Sequence, residues 1–204
     1  MSGEKIKEIL SYWFHGIDDQ TPADRNTLPF KKWFLKDEKV DEEIRRLFEA
    51  DLTKASQGAY KNWEESVEGR LALILLYDQF SRNMYRGMEK MYAFDALAVE
   101  LTLRTVDQGK DRGLMLIQRA FLYLPLMHFE DLALQQMSVD FYTKLVEESK
   151  VKNPGNTPYY EYTLKYAQEH YDTIEEFGRF PHRDAILKRG LSITQDNETA
   201  PGKI

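Results

Sequence analysis

No cysteine occurs anywhere in the sequence. That excludes thiol nucleophiles, thiolate metal sites and any disulfide framework at once. Long apolar runs are missing too: the longest, residues 71–77, is far too short to span a bilayer. The first residues, Met1-Ser2-Gly3-Glu4-Lys5, precede no extended apolar stretch, so no secretory signal is expected. Gly3 is one place too far along for the usual myristoylation signal. No P-loop, dinucleotide glycine pattern, nucleophile elbow or paired-histidine zinc motif appears. No cofactor and no metal are therefore expected. Excess positive charge is also absent. The net charge is −6, with both signs interleaved along the chain. This argues against an extensive nucleic-acid footprint or attraction to an anionic membrane, and the expected location is cytoplasmic.

What is present is helical periodicity, and no segment alternates in the manner of a strand. At 204 residues the chain is long enough for one self-sufficient core. Ile6, Ile9, Leu10, Trp13 and Phe14 define a first amphipathic helix. Gly16, Pro22 and Pro29 place a loop through about residue 29. Asp37 is positioned to cap a second helix running toward Gly58, and Ser66 a third running toward Gly87. A fourth is expected over 89–108, and a fifth from Gly113 that Pro125 bends or ends. A sixth covers 130–148. Thr157-Pro158 opens a seventh that stops at Gly178, and a short eighth follows Pro181. Successive helices on short loops pack as antiparallel neighbours. The expectation is an all-α stack of helix pairs, about seven to eight helices, in one domain over 1–193. A polar, disordered tail is expected over 194–204. The 34-residue tetratricopeptide consensus is not found, so any repeat character is irregular.

Three segments carry more charge and histidine than packing requires. In the first, Asp78, Arg82 and Arg86 are spaced four apart and share one helical face for as long as the helix persists. They read either as a structural ion pair with a surface arginine or as Asp78 holding Arg82 while Arg86 offers its fork to a carboxylate or phosphate. In the second, residues 119–131, His128 lies three residues before Asp131 and can pair with it or cap the turn. Glu130 stands between them. In the third, Gly178-Arg179-Phe180-Pro181-His182-Arg183-Asp184, two arginines and a histidine occupy a constrained loop. It reads as an anion site or as a staple in which Arg179 and Arg183 meet Glu175, Glu176 or Asp78. His170 shares a face with Ile174 and Phe177 and reads as a hydrogen-bonded, partly buried residue. The tyrosines at 159, 160, 162, 166 and 171 read as core and interface, and His15 as a cap of the first helix.

Taken in order, Trp13-Phe14-His15-Gly16, Tyr77-Asp78-Gln79-Phe80-Ser81-Arg82-Asn83, Phe121-Leu122-Tyr123-Leu124-Pro125 with His128-Phe129-Glu130-Asp131, and Phe177-Gly178-Arg179-Phe180-Pro181-His182-Arg183 resemble domain of unknown function 924. The resemblance runs from about residue 6 to 190. It implies a tetratricopeptide-like all-α fold. It also implies that Arg82, His128, Glu130, Arg179, His182 and Arg183 belong to the family's signature and converge on one site. It supplies no activity. Ser81, Phe129 and Asp184 stand where the family pattern carries proline, serine and asparagine. Phe129 removes a hydroxyl beside His128, and Asp184 adds a negative charge beside Arg183.

These readings lead to a binding module. Its site is lined by Asp78, Arg82, Arg86, His128, Arg179, His182 and Arg183, for an anionic small molecule (phosphate or carboxylate) or an acidic peptide. The rival is an enzyme with His128 or His182 as general acid or base and Glu130 or Asp131 orienting it. RNA contact through arginine and tyrosine is a third reading. The fourth is a scaffold in which the motifs only tie helix ends together. No feature of the sequence specifies the oligomeric state.

Overall fold

The structure, a computed structural model, describes residues 2–23 and 28–190. The domain boundary expected at 193 and the tail over 194–204 lie outside the described residues. Eight helices and no strand occur among the described residues, as the periodicity requires.

Helix α1, Ser2–Phe14, buries Ile9, Trp13 and Phe14 and stops where His15 and Gly16 turn left-handed, at φ 49° and 73°. Helix α2, Leu28–Phe34, starts at the end of the expected loop and occupies residues to which the periodicity assigned no element. Its turns form because Phe30 and Trp33 fall one turn apart and pack together, with ring centroids 4.7 Å apart. Helix α3, Glu38–Ser56, starts from the Asp37 cap as expected, the Asp37 carboxylate accepting from Lys39 N–H.

Helix α4 starts at the Ser66 cap and comprises Val67–Ile74, a π-helical turn Leu75–Phe80 and Ser81–Met84. It is the central element, packed on α1, α3, and the two helices that follow α4 in the fold. Every residue from 69 to 78 is buried. Helix α5, Asp95–Asp107, is shorter than expected. Residues 89–92 form a separate 3₁₀ turn, and left-handed Gly109, at φ 65°, ends the element just beyond α5.

Helix α6, Leu116–His128, runs on through Pro125, which does not end it. Pro125 costs one donor, but it sits among buried Leu122, Leu126 and Met127, whose packing keeps the last turn in place. Helix α7, Leu132–Lys152, begins at Asp131 rather than at 130, the Asp131 carboxylate accepting from Leu134 N–H at 3.0 Å. Helix α8, Thr157–Phe177, has Pro158 in its first turn and left-handed Gly178 as its cap, both as expected. In place of a short eighth α-helix, Pro181–Arg183 is a single 3₁₀ turn.

Successive helices from α3 to α8 pack against one another, and α6, α7 and α8 form the C-terminal layer. The aromatic core joins α1, α2, α4 and α6. Trp13 meets Phe80 edge-on at 5.2 Å and Phe121 at 5.7 Å, and Trp33 meets Phe121 at 4.8 Å. Burial of each such ring contributes roughly 1.5–3 kcal/mol.

Candidate functional site

The site begins at the π-helical turn of α4. Ser81 N–H donates to Leu76 O, five residues back, so one turn of the helix carries an extra residue. Inside that turn lies Asp78, 1% exposed. Its carboxylate accepts from His128 Nδ1 at 2.7 Å, from Arg82 Nη1 at 3.0 Å and from Gln79 Nε2 at 2.6 Å. Burial works against the charge, but Arg82 and His128 beside it hold the Asp78 carboxyl well below the usual carboxylate range.

An ionised carboxylate only accepts, so the proton between the two residues sits on His128 Nδ1. The imidazole pKa is pushed below 6.5, chiefly by burial, with Asp78 opposing and Arg82 and His170 adding to the fall. His128 is therefore neutral near pH 7, with its lone pair on Nε2. The pairing of His128 with Asp131 expected from their spacing does not form, because Asp131 caps α7 instead.

Arg82 forks onto Asp95 of α5 with two bonds of 2.9 Å. Arg183 reaches the same carboxylate at 3.7 Å and donates from Nη2 to His128 O at 2.7 Å. Its guanidinium lies between the Tyr92 and Phe180 rings, 4.6 and 4.4 Å from their centroids. Asp78, Arg82, Asp95 and Arg183 thus form a buried chain of alternating charge behind the imidazole. Helix α4 ends at Met84, so Arg86 leaves the stripe and bonds Asp41 of α3 at 2.6 and 2.8 Å.

In front of the imidazole is a cavity of about 530 Å³ between α2, α4, α6 and α8. Lys36, Gln79, Arg82, Asn83, Arg86, His128 and His170 supply most of its polar side chains. The rest is largely aromatic, with Phe30, Trp33, Phe121, Tyr142 and Tyr159 among its walls. His170 donates from Nδ1 to Tyr166 O at 2.8 Å, and its ring centroid is 6.3 Å from that of His128. Burial lowers its pKa as well.

The structure brings Asp78, Arg82, Arg86 and His128 together and places Arg183 behind them. Arg179 and His182 do not line the cavity. Arg179 is exposed and bonds Asp184 at 3.0 Å, and Arg183 meets Asp95. Neither uses the acidic partners Glu175, Glu176 or Asp78 expected from the sequence. Glu130 accepts from Phe180 N–H and from both terminal nitrogens of Arg189, so it fastens the C-terminal loop to the end of α6.

Sequence reasoning missed Asp95, Gln135 and the α2 aromatics. Asp95 reads as an ordinary acidic residue inside the helix expected over 89–108. Gln135 is buried in α7 and donates to Met127 O and Phe129 O, both at 2.7 Å, on either side of His128. For α2, the available signal was Phe30-Lys31-Lys32-Trp33-Phe34, two aromatic turns divided by lysines just after a proline. Among the described residues no three metal-ligating side chains are grouped to hold an ion, and no helix is long and apolar enough to cross a membrane.

The chain matches the family described as bacterial protein of unknown function (DUF924) over residues 9–198, and it belongs to that family. No curated protein matches it. It is similar to the solved structure of a protein of unknown function from Agrobacterium tumefaciens, with 34% identity, 93% of each chain covered and a TM-score of 0.75.

Proposed function

We propose that this chain binds a small molecule in the α2–α4–α6–α8 cavity. The ligand has an aromatic or apolar body and one carboxylate or neutral polar head. The observation that carries the reading is one cavity of about 530 Å³ lined by aromatic rings together with His128, His170, Arg82 and Arg86. That size is in the range of small-molecule sites and too small for a folded or extended partner.

The charge balance narrows the head group. Arg82, Arg86 and Arg183 are already matched by Asp78, Asp95 and Asp41. A phosphate dianion would bring a second charge with no unmatched arginine to meet it, and burying such a charge is costly. The other cation of the lining, Lys36, is 66% exposed and lies 3.9 Å from Glu38. A carboxylate needs only hydrogen bonds and one partial cation. The reading favours a monoanion over the phosphorylated ligands and acidic peptides equally open at the level of sequence.

Titration with phenylacetate, 3-phenylpropionate, hexanoate and phenyl phosphate tests this, with Trp33 emission and the melting temperature as readouts. The arylcarboxylates are expected to raise Tm and perturb Trp33, phenyl phosphate less so. Leu124→Phe, which fills the cavity, is expected to abolish the effect. No response to any of the four, or a response that Leu124→Phe leaves intact, would overturn the proposal.

A further inference from the structure

We propose that His128 is a general base, positioned by Asp78, that takes a proton from carbon next to a carbonyl group of the bound molecule. This rests on the small-molecule reading above and deepens it: the substrate class becomes a keto acid with an aryl or alkyl body.

The geometry assigns the roles. With Nδ1–H committed to Asp78 at 2.7 Å, Nε2 is the one ring nitrogen that can accept a proton. The imidazole is held from behind by its own backbone. Gln135 binds Met127 O and Phe129 O, and Arg183 binds His128 O, so three successive carbonyls at the end of α6 are anchored by side chains. When Nε2 takes up a proton, the imidazolium stands against a buried carboxylate that already accepts from it. This stabilises charge formed during the reaction rather than before it.

The lining also limits the reaction class. It contains no serine and no carboxylate, and its one aliphatic hydroxyl, Thr163, donates to Tyr160 O at 2.8 Å. The one amine of the lining, Lys36, is 66% exposed and lies 3.9 Å from Glu38. The covalent alternative is therefore a Schiff base at that exposed side chain, whereas proton transfer needs only the base already in place at His128. In that step the C–H bond breaks and its electron pair forms the C=C bond of an enolate. The carbonyl π pair moves onto oxygen, and the proton resides on Nε2. Return of the same proton to oxygen gives the enol, and return to carbon restores the ketone. Nothing is gained or lost, and no co-reactant is required. Arg86 lines the cavity and holds Asp41 through Nε and Nη2, which leaves Nη1 as the donor for the enolate oxygen. His170 offers the other Nε2 in the cavity, since its Nδ1 is committed to Tyr166 O, and is the residue with which His128 must be compared.

The full chain is incubated with phenylpyruvate in D₂O, and loss of the benzylic proton signal is followed by NMR, with Trp33 emission reporting binding. Wild type is expected to exchange roughly 100-fold or more faster than His128→Asn, in the range general-base catalysis supplies. His170→Asn keeps most of the rate. Asp78→Asn lowers the rate and moves the acidic limb of its pH profile downward, because the imidazolium loses the carboxylate that favours it. If His128→Asn fails to fold, diethyl pyrocarbonate treatment of His170→Asn, in which His128 is the one imidazole left in the lining, replaces it and is expected to stop exchange. Phenylpyruvate that binds without accelerated exchange, or exchange lost in His170→Asn and kept in His128→Asn, overturns this inference and leaves the ligand reading standing. Failure of phenylpyruvate to bind overturns both.

Discussion

Arg183 donates from Nη2 to the main-chain carbonyl of His128 at 2.7 Å across 55 positions of sequence. The arginine that looks most like a ligand-binding group is thus engaged with the backbone of the residue that faces the cavity. Its side chain is 8% exposed, and the ring faces of Tyr92 and Phe180 cover it. The C-terminal loop therefore acts on the site from behind, by fixing where α6 ends.

Arg183→Ala should destabilise the chain by about 3 kcal/mol, as loss of one partner in a buried charge network does. It leaves Asp95 with Arg82 alone and His128 O without its donor. Arg183→Lys keeps the charge but loses the fork that serves Asp95 and the carbonyl together, and should recover only part of the loss. Urea unfolding measures both. A loss within about 0.5 kcal/mol of zero, as for an ordinary surface substitution, would contradict the buried role.

Gln135→Leu preserves volume but strands Met127 O and leaves Phe129 O with Asp131 N–H alone, and should cost about 1–3 kcal/mol. The same substitution should broaden the His128 ring signals in an NMR spectrum, because the backbone on both sides of the residue loses its anchor. Unchanged signals alongside an unchanged unfolding midpoint would show that the two bonds of 2.7 Å are not needed.

Acidification should weaken the fold before the carboxylates titrate. Burial lowers the His128 and His170 pKa values from 6.5, so the unfolded chain binds protons at a pH where the native chain does not. Their contribution is complete above 6.5 and is lost as pH falls from there through the native values. Asp41, Asp78 and Glu130 also have lowered pKa values, but their contributions fade only below the ordinary carboxylate range, and Asp95, raised by burial, opposes them slightly. Urea midpoints between about pH 7.5 and about pH 5 should fall, with a shallower slope in His128→Gln. A flat profile over that window would refute the buried neutral imidazoles.

Gly69→Ala should destabilise despite adding a better helix former. A Cβ at Gly69 would overlap Trp63 O, a main-chain atom that cannot move aside as a flexible side chain does. The expected loss is about 1–3 kcal/mol from overpacking, against a gain of about 0.5–1 kcal/mol that alanine brings to an open helix position. A Tm at or above wild type would show that the turn before α4 adjusts freely.

The helical fold and many of its boundaries follow from local features. Asp37, Ser66, Pro158 and Gly178 act through bonds and dihedral angles within a few residues of themselves, so their roles were readable in order along the chain. The failures also have local causes. Periodicity cannot show a π turn, whose extra residue at 75–80 lies in the turn that holds Asp78, and it cannot weigh Pro125 against the packing around it. Helix α2 was hidden because two prolines and a short length suggested a loop.

Determined by the sequence alone were the all-α class, the caps, the absence of thiol chemistry and the identity of Asp78, Arg82 and His128 as residues unlike ordinary core. Tertiary structure decided their partners. Asp78 meets His128 across 50 positions and Arg86 meets Asp41 across 45, and the cavity wall comes from α2, α4, α6 and α8. Helical spacing reaches only three or four residues, whereas electrostatic pairing and burial act between whatever helices the core brings together.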